Sequence, residues 1–299
     1  MIDISKPNDY EAVAAFIADM NKDEQNHVGY CGTKADEVLH TLQNDFSDLP
    51  LERSLITAYE NDQLIGVIGL DIDEDTKAGE LWGPFVMHRD WEQISRLMWE
   101  KLITQLPHGS LSSVLGFYNQ HNERCESFME KLGAKRDERE NTILKITRSE
   151  YCTTIEEEGL IREYVHDDFG SFKALHHDAF KQPYYNADDI IKKLDHENKL
   201  FIAADQVKML GYVYCETNPT FSEGDIHFIA VSPAARNKGI GRKLISKSLD
   251  FMFSFKELEE IILCVDSSNQ PAIKIYKSVG FTQLHELISY ELSLKNVLI

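Results

Sequence analysis

The residues able to do chemistry gather between Asp225 and Tyr276, above all in the loop Val231-Ser-Pro-Ala-Ala-Arg-Asn-Lys-Gly-Ile-Gly-Arg-Lys-Leu244. Gly239 and Gly241 stand there among four cations, Arg236, Lys238, Arg242 and Lys243, in a chain whose formal net charge is −19. Before the loop, Ile226-His-Phe-Ile-Ala-Val231 is apolar at every position but one and reads as a strand covered on both faces. After it, Gly241, Leu244, Ile245, Ser248, Leu249 and Met252 fall on one face of a helix that can lie against a sheet. A strand, a glycine turn and a helix N-terminus present unpaired backbone N–H groups and the positive end of a dipole, a combination suited to phosphate or pyrophosphate. The basic cluster fits that charge.

Two common phosphate loops do not match. The dinucleotide fingerprint needs a third glycine where this chain has Leu244, and the P-loop needs Gly-Lys-Ser/Thr where it has Gly241-Arg242-Lys243. A nucleotide-dependent enzyme would also need a Mg²⁺-ligating Ser or Thr at the loop end. What remains is Arg236-x-x-Gly239-x-Gly241, for which a plain strand-to-helix turn with glycines supplying positive φ is an equal account. The downstream segment breaks the tie. Glu260 to Val265 reads as a second buried strand; a polar cap with Pro271 follows, then a helix face of Ala272, Ile275, Tyr276 and Val279 that Gly280 ends.

In these two motifs, Arg236-x-x-Gly239-x-Gly241 and then Asn269, Tyr276 and Gly280-Phe281, the chain resembles the GNAT superfamily of N-acetyltransferases. The resemblance implies that acetyl-CoA is the co-substrate, that no metal is needed, and that an acceptor amine attacks the thioester directly. It implies cofactor contacts from Ile229, Ala230 and Val231, the last as an oxyanion donor. The loop Arg236, Asn237, Lys238, Gly239, Ile240, Gly241 and Arg242 would take the pyrophosphate, and Asn269, Ala272 and Tyr276 the rest of the cofactor arm. Tyr276 is then the candidate general acid for the leaving thiolate, against the plainer account of a core tyrosine. Asp225, ranked just ahead of His227, is the candidate base, with Glu216 third; solvated strand-end residues are the plainer account of both leading candidates. Tyr184 and Tyr185 sit where such a protein shapes its acceptor pocket, although packing across their loop would explain them equally. The alternative reading of the whole is a non-catalytic acyl-CoA-binding regulator, which needs the loop but neither Tyr276 nor Asp225.

The elements that must hold this site occur twice. Gly66 matches Gly211, Gly79-Glu80 matches Gly224-Asp225 and Val86 matches Val231 at a spacing of 145 residues; Leu97 matches Leu244, Asn122 matches Asn269 and Gly133 matches Gly280 at 147. Each copy is read as a short strand, two helices, a hairpin, a third hairpin-fed strand, a helix, a strand and a helix. The expected fold is α/β (a mixed α+β sheet) in two tandem domains, 1–150 and 151–299, joined near Ser149 to Gly159 at the acidic Glu156-Glu-Glu-Gly159. The first copy lacks the glycines: Met87-His-Arg-Asp-Trp-Glu-Gln-Ile-Ser-Arg96 has none, and Met129 stands where the second copy has Tyr276. It is expected to keep the fold without the cofactor site, and to serve structure or shape the acceptor cleft.

Composition bounds the rest. The excess of acid, 50 carboxylate residues against 31 Lys and Arg, disfavours nucleic acid and favours a cationic acceptor. Five cysteines without paired spacing suggest neither a disulfide framework nor zinc, so a reducing cytoplasm is expected. The adjacent His176 and His177 point in different directions and are read as surface-facing rather than as metal ligands. No membrane span is expected, and two fused copies are compatible with a monomer or a homodimer.

Overall fold

The computed structural model describes residues 2–152, 160–181, 183–205 and 208–294. In chain order the first half runs β1 (Ile2–Ser5), α1 (Tyr10–Asn21), α2 (Ala35–Asn44), α3 (Leu51–Ser54), β2 (Leu55–Glu60), β3 (Gln63–Asp73), β4 (Ala78–Val86), α4 (Trp91–Gln105), β5 (Ser113–Asn119), α5 (Glu123–Leu132) and β6 (Lys135–Thr147). The second half runs β7 (Ile161–Glu163), α6 (Phe169–Ala179), α7 (Ala187–Lys193), β8 (Lys199–Ala204), β9 (Met209–Asn218), β10 (Glu223–Val231), α8 (Ile240–Met252), β11 (Glu260–Asp266), α9 (Gln270–Ser278) and β12 (Thr282–Ser293). The acidic joint expected at Glu156 to Gly159 lies outside the described residues.

The compact units do not follow the division 1–150 and 151–299. One is residues 1–141 with 285–299, the other 142–284. The reason is an exchange of strands. Leu287 to Ser293 of β12 pair antiparallel with β5, and Ile288, Tyr290 and Leu292 enter the first unit's core. Reciprocally, Leu144 and Ile146 of β6 are fully buried in the second unit's core. Each such side chain contributes on the order of 2 kcal/mol of apolar burial, so neither unit is complete without its distant strand. Sequence patterning did not mark β6 or β12. The first half of β6 is polar throughout, six charged residues from Lys135 to Glu140 and then Asn141, and only Ile143 onward alternates.

Each unit is a mostly antiparallel mixed sheet flanked by helices. In the first, β2 and β3 form a hairpin whose turn residues Asn61 and Asp62 both have positive φ, 51° and 63°, as a tight right-twisting hairpin requires. In the second, strand side chains alternate between two cores. One, under α8 and α9, holds Leu244, Ile245, Leu249 and Met252; the other, under α6 and α7, holds Phe172, Ile190, Tyr212, Tyr214 and Phe228. A bulge in β10 between Ile226 and Phe228 re-aims the strand: Ile226 packs in the α8 core and Phe228 in the α6 core.

The repeat survives at the level of register. Ala78, Gly79 and Glu80 pair in parallel with Ser113, Val114 and Leu115; Glu223, Gly224 and Asp225 pair likewise with Glu260, Ile261 and Ile262. One match needs correction. A Cβ on Gly66 would meet Met98 at 3.2 Å, just as a Cβ on Gly211 would meet Leu244 at 3.2 Å. Met98 is fully buried and Leu97 half-buried, so Met98 and not Leu97 is the counterpart of Leu244. Fit to the sheet, not residue type, decides the match.

Candidate functional site

The second unit opens a groove where two strands part. β10 pairs with β11 only at Glu223 to Asp225. Beyond that point Ile229, Ala230 and Val231 form one wall of a cavity of about 820 Å³, with Asn269, Ala272, Ile275 and Tyr276 opposite. At one end lie Arg236, Asn237, Gly239, Ile240, Gly241 and Arg242. Of the residues expected to hold the cofactor, all but Lys238 line it; Lys238 is exposed on the same loop. Sequence reading missed Asp178, Ala179 and Phe180, which the end of α6 brings to the groove. No spacing signal joins that helix to the loop; only the fold does.

The loop geometry follows from its residues. Asn237 and Gly239 both adopt positive φ, 60° and 76°, and Gly239 caps α8, so the first N–H groups of that 13-residue helix face the groove end unpaired by a capping side chain. Gly241 is different. It needs no special φ, and a Cβ there would meet nothing nearer than Ile275 and Val231 at 3.7 Å, an ordinary contact. The chain's own packing does not demand glycine at 241. Its bare backbone leaves room at the groove surface.

Tyr276 is 6% exposed, yet it lines the groove. Burial pushes its phenol well above the ordinary value, so it keeps its proton across the physiological range. Asn269 spends its Oδ1 on the N–H of Ala272, 3.3 Å away, as the N-cap of α9.

Asp225 and His227 lie further back along β10, in a separate cavity of about 370 Å³ that Glu197, Glu216 and Glu223 also line. Burial, with the neighbouring charges of Glu216 and Glu223, pushes the Asp225 carboxyl up to about 6. For Glu216, burial alone would raise the carboxyl. Hydrogen bonds from His227 and Tyr214 and the charge of Lys193 outweigh it and hold Glu216 down at about 2. The Tyr214 hydroxyl donates to Glu216 Oε1 at 2.6 Å, and Lys193 Nζ is 3.7 Å from the same oxygen. His227 is pulled both ways: burial lowers it, but Glu216 and Asp225 win and raise it above the ordinary histidine value. Tyr184, on the loop between α6 and α7, puts its hydroxyl 2.9 Å from His227 Nδ1. The pair His176 and His177 is not surface-facing as expected. His176 is buried, its ring nitrogens bonded to the Tyr212 hydroxyl and the Tyr185 carbonyl, while His177 alone is exposed. It is a satisfied core histidine, because the α6 face that meets Tyr212 includes position 176.

Among the described residues no group of three His, Cys, Asp or Glu side chains is placed to hold a metal ion, and no helix is long and apolar enough to cross a membrane. Among the described residues all five cysteines are free thiols.

Comparison with known proteins adds an independent line. Residues 161–281 match the profile of the Acetyltransferase (GNAT) family. An N-alpha-acetyltransferase of Sulfurisphaera tokodaii is 31% identical over 118 residues, 36% of this chain and 70% of that protein. A mycothiol acetyltransferase of Thermomonospora curvata is 30% identical over 92 residues, 31% of this chain; the match spans only 30% of that protein's length. Among solved structures, a tandem GNAT protein from the clavulanic acid biosynthesis pathway shares the fold over 98% of each chain, with a TM-score of 0.66 at 10% identity.

Proposed function

Because the chain belongs to the GNAT acetyltransferase family, we propose that its second unit moves the acetyl group of acetyl-CoA to a primary amine of a small molecule or peptide by direct attack. The observation that carries this reading is the groove itself: a parted strand pair, a left-handed glycine cap and a spare glycine line one continuous cavity with a protonated phenol. The residues suit acetyl-CoA, since its diphosphate is an anion for the α8 N-terminus, Arg236 and Arg242. The thioester would lie along Ile229 to Val231, with the Val231 N–H as oxyanion donor. The cofactor supplies an activated acetyl group when bound.

The rest is done by the chain's own groups. Tyr276 holds a proton for the sulfur that leaves, and the carboxylates of Glu197, Glu216, Glu223 and Asp225 favour an acceptor that arrives as a cation. Asp225 and His227 are the candidate bases for the amine's proton. The first unit serves structure or acceptor shaping, and free thiols suit a reducing cytoplasm. The test is calorimetric titration with acetyl-CoA, followed by thiol release in a panel of diamines, polyamines, aminoglycosides and short peptides. The reading predicts one cofactor per chain and release with at least one amine. Binding without release from any amine makes the protein an acyl-CoA-binding regulator, and no binding removes both.

A further inference from the structure

Three side chains from three elements stand in line behind the groove. Tyr184 comes from the loop after α6, His227 from the bulge of β10 and Glu216 from β9. The Tyr184 hydroxyl is 2.9 Å from His227 Nδ1, and His227 Nε2 is 3.5 Å from Glu216 Oε2. The outer end of the line is open, for Tyr184 is 65% exposed. The inner end is closed, with side-chain exposures of 17% for His227 and 22% for Glu216. From this arrangement the geometry points to a proton relay in which Tyr184 receives a proton from the acceptor's ammonium group, His227 stores it and Glu216 holds the imidazole. The inference rests on the acetyltransferase reading above and decides between its two bases.

The direction of transfer follows from donor and acceptor chemistry. Glu216 is an ionised carboxylate and can only accept, so the neutral imidazole carries its proton on Nε2 and offers a lone pair at Nδ1. Tyr184 therefore donates inward to Nδ1 and has its own oxygen lone pair to offer outward. As the ammonium gives a proton to the Tyr184 oxygen, the phenol proton passes to Nδ1, leaving a neutral amine and an imidazolium facing Glu216. The amine lone pair then forms the C–N bond at the thioester carbonyl. On collapse the C–S bond breaks, its electron pair goes to sulfur, and sulfur takes the Tyr276 proton. The nitrogen's second proton restores Tyr276, and the first leaves from His227 to solvent. Tyr214 and Lys193 are positioning residues that keep Glu216 ionised and oriented.

The first unit shows the line dismantled. Asp71 opposes Glu80 there as Glu216 opposes Asp225, so the carboxylate pair persists. At the position of His227, 145 residues earlier, stands Trp82, whose Nε1 is buried without a partner. A strand carboxylate pair is thus common to both copies, and the imidazole and its tyrosine are confined to the copy with the cofactor groove.

The groups facing His227 are Glu216 and Tyr214 from β9, Asp225 from β10, Tyr184 and Tyr185 from the loop, and Lys193 from α7. With the imidazole raised, the rate with any accepted amine should climb with pH through a point above the ordinary histidine value of about 6.5. The test is the pH profile of kcat/KM for thiol release, using whichever amine of the panel above the wild-type protein acetylates. His227→Gln should lower kcat/KM about 100-fold and abolish that rise. Glu216→Gln should move the rise to lower pH, with Glu216→Asp restoring part of it. Tyr184→Phe, at an exposed site that does not endanger folding, should lower kcat roughly 10-fold. A rise that stays in place in His227→Gln and Glu216→Gln overturns the relay and assigns the base to Asp225; full activity in Tyr184→Phe also overturns it. Absence of release by the wild-type protein with every amine instead removes the acetyltransferase reading, and the relay with it.

Discussion

The two units carry the same sheet registers and differ where β4 and β10 hand over to the next helix. In the second unit eight residues separate Val231 from Ile240, and two of them turn left-handed; in the first only four separate Val86 from Trp91, and none does. The first copy starts α4 on Trp91, which is buried, with Asp90 and Glu92 at the helix start where the second copy has glycines and arginines. Carboxylates at a helix N-terminus satisfy the dipole from within the chain and repel a phosphate. Met129 is fully buried on α5, where α9 carries Tyr276. Keeping the fold therefore requires the strands and their bulges, whereas keeping a diphosphate site requires a longer, left-handed turn. The two demands separate cleanly along the chain.

The sharpest way to break this contrast is to fill the loop. Gly239→Val with Gly241→Val should weaken acetyl-CoA binding at least about 100-fold by calorimetry, roughly 3 kcal/mol, because valine resists positive φ at 239 and its side chain would occupy groove space at 241. Circular dichroism should show an intact fold. Next in size, Tyr276→Phe should lower kcat about 100-fold with little change in acetyl-CoA affinity, since it removes a proton and not a surface. The same titration should give one site per chain; a second site of similar affinity would place a working cradle in the first unit and end the comparison. The smallest effect concerns Glu80, the counterpart of Asp225, whose carboxyl burial and the charge of Asp71 push up to about 7. A raised carboxyl binds its proton more tightly in the folded state, so its stabilising share is complete below about 4.5 and lost as pH rises towards about 7. Glu80→Gln should thus leave stability unchanged at acid pH and raise it by about 1 kcal/mol in urea unfolding above pH 7, partial exposure being discounted.

What the sequence made legible was local. The loop, both glycines, the polar cap with Pro271 and the Gly280 stop each carry their reason within a few residues. The repeat was legible because Gly66 and Gly211 must both admit a helix side chain at 3.2 Å. The Leu97 match failed because it followed residue type, where the sheet sees only what projects from the helix. Exchange of β6 and β12 left no local mark: half of β6 is charged, and alternation says that a strand exists without saying in which sheet. The grouping of Tyr184, His227 and Glu216 was equally hidden, since it depends on a bulge that turns position 227 to the same side as Phe228.

The strand exchange also bears on how the protein is made. Ile288, Tyr290 and Leu292 complete the core of the first unit, so residues 1–141 emerge from the ribosome as a sheet lacking one member and must wait through the synthesis of the entire second unit for it. The copy without a cofactor groove is the last to close, and any break in translation before residue 285 leaves it open along β5.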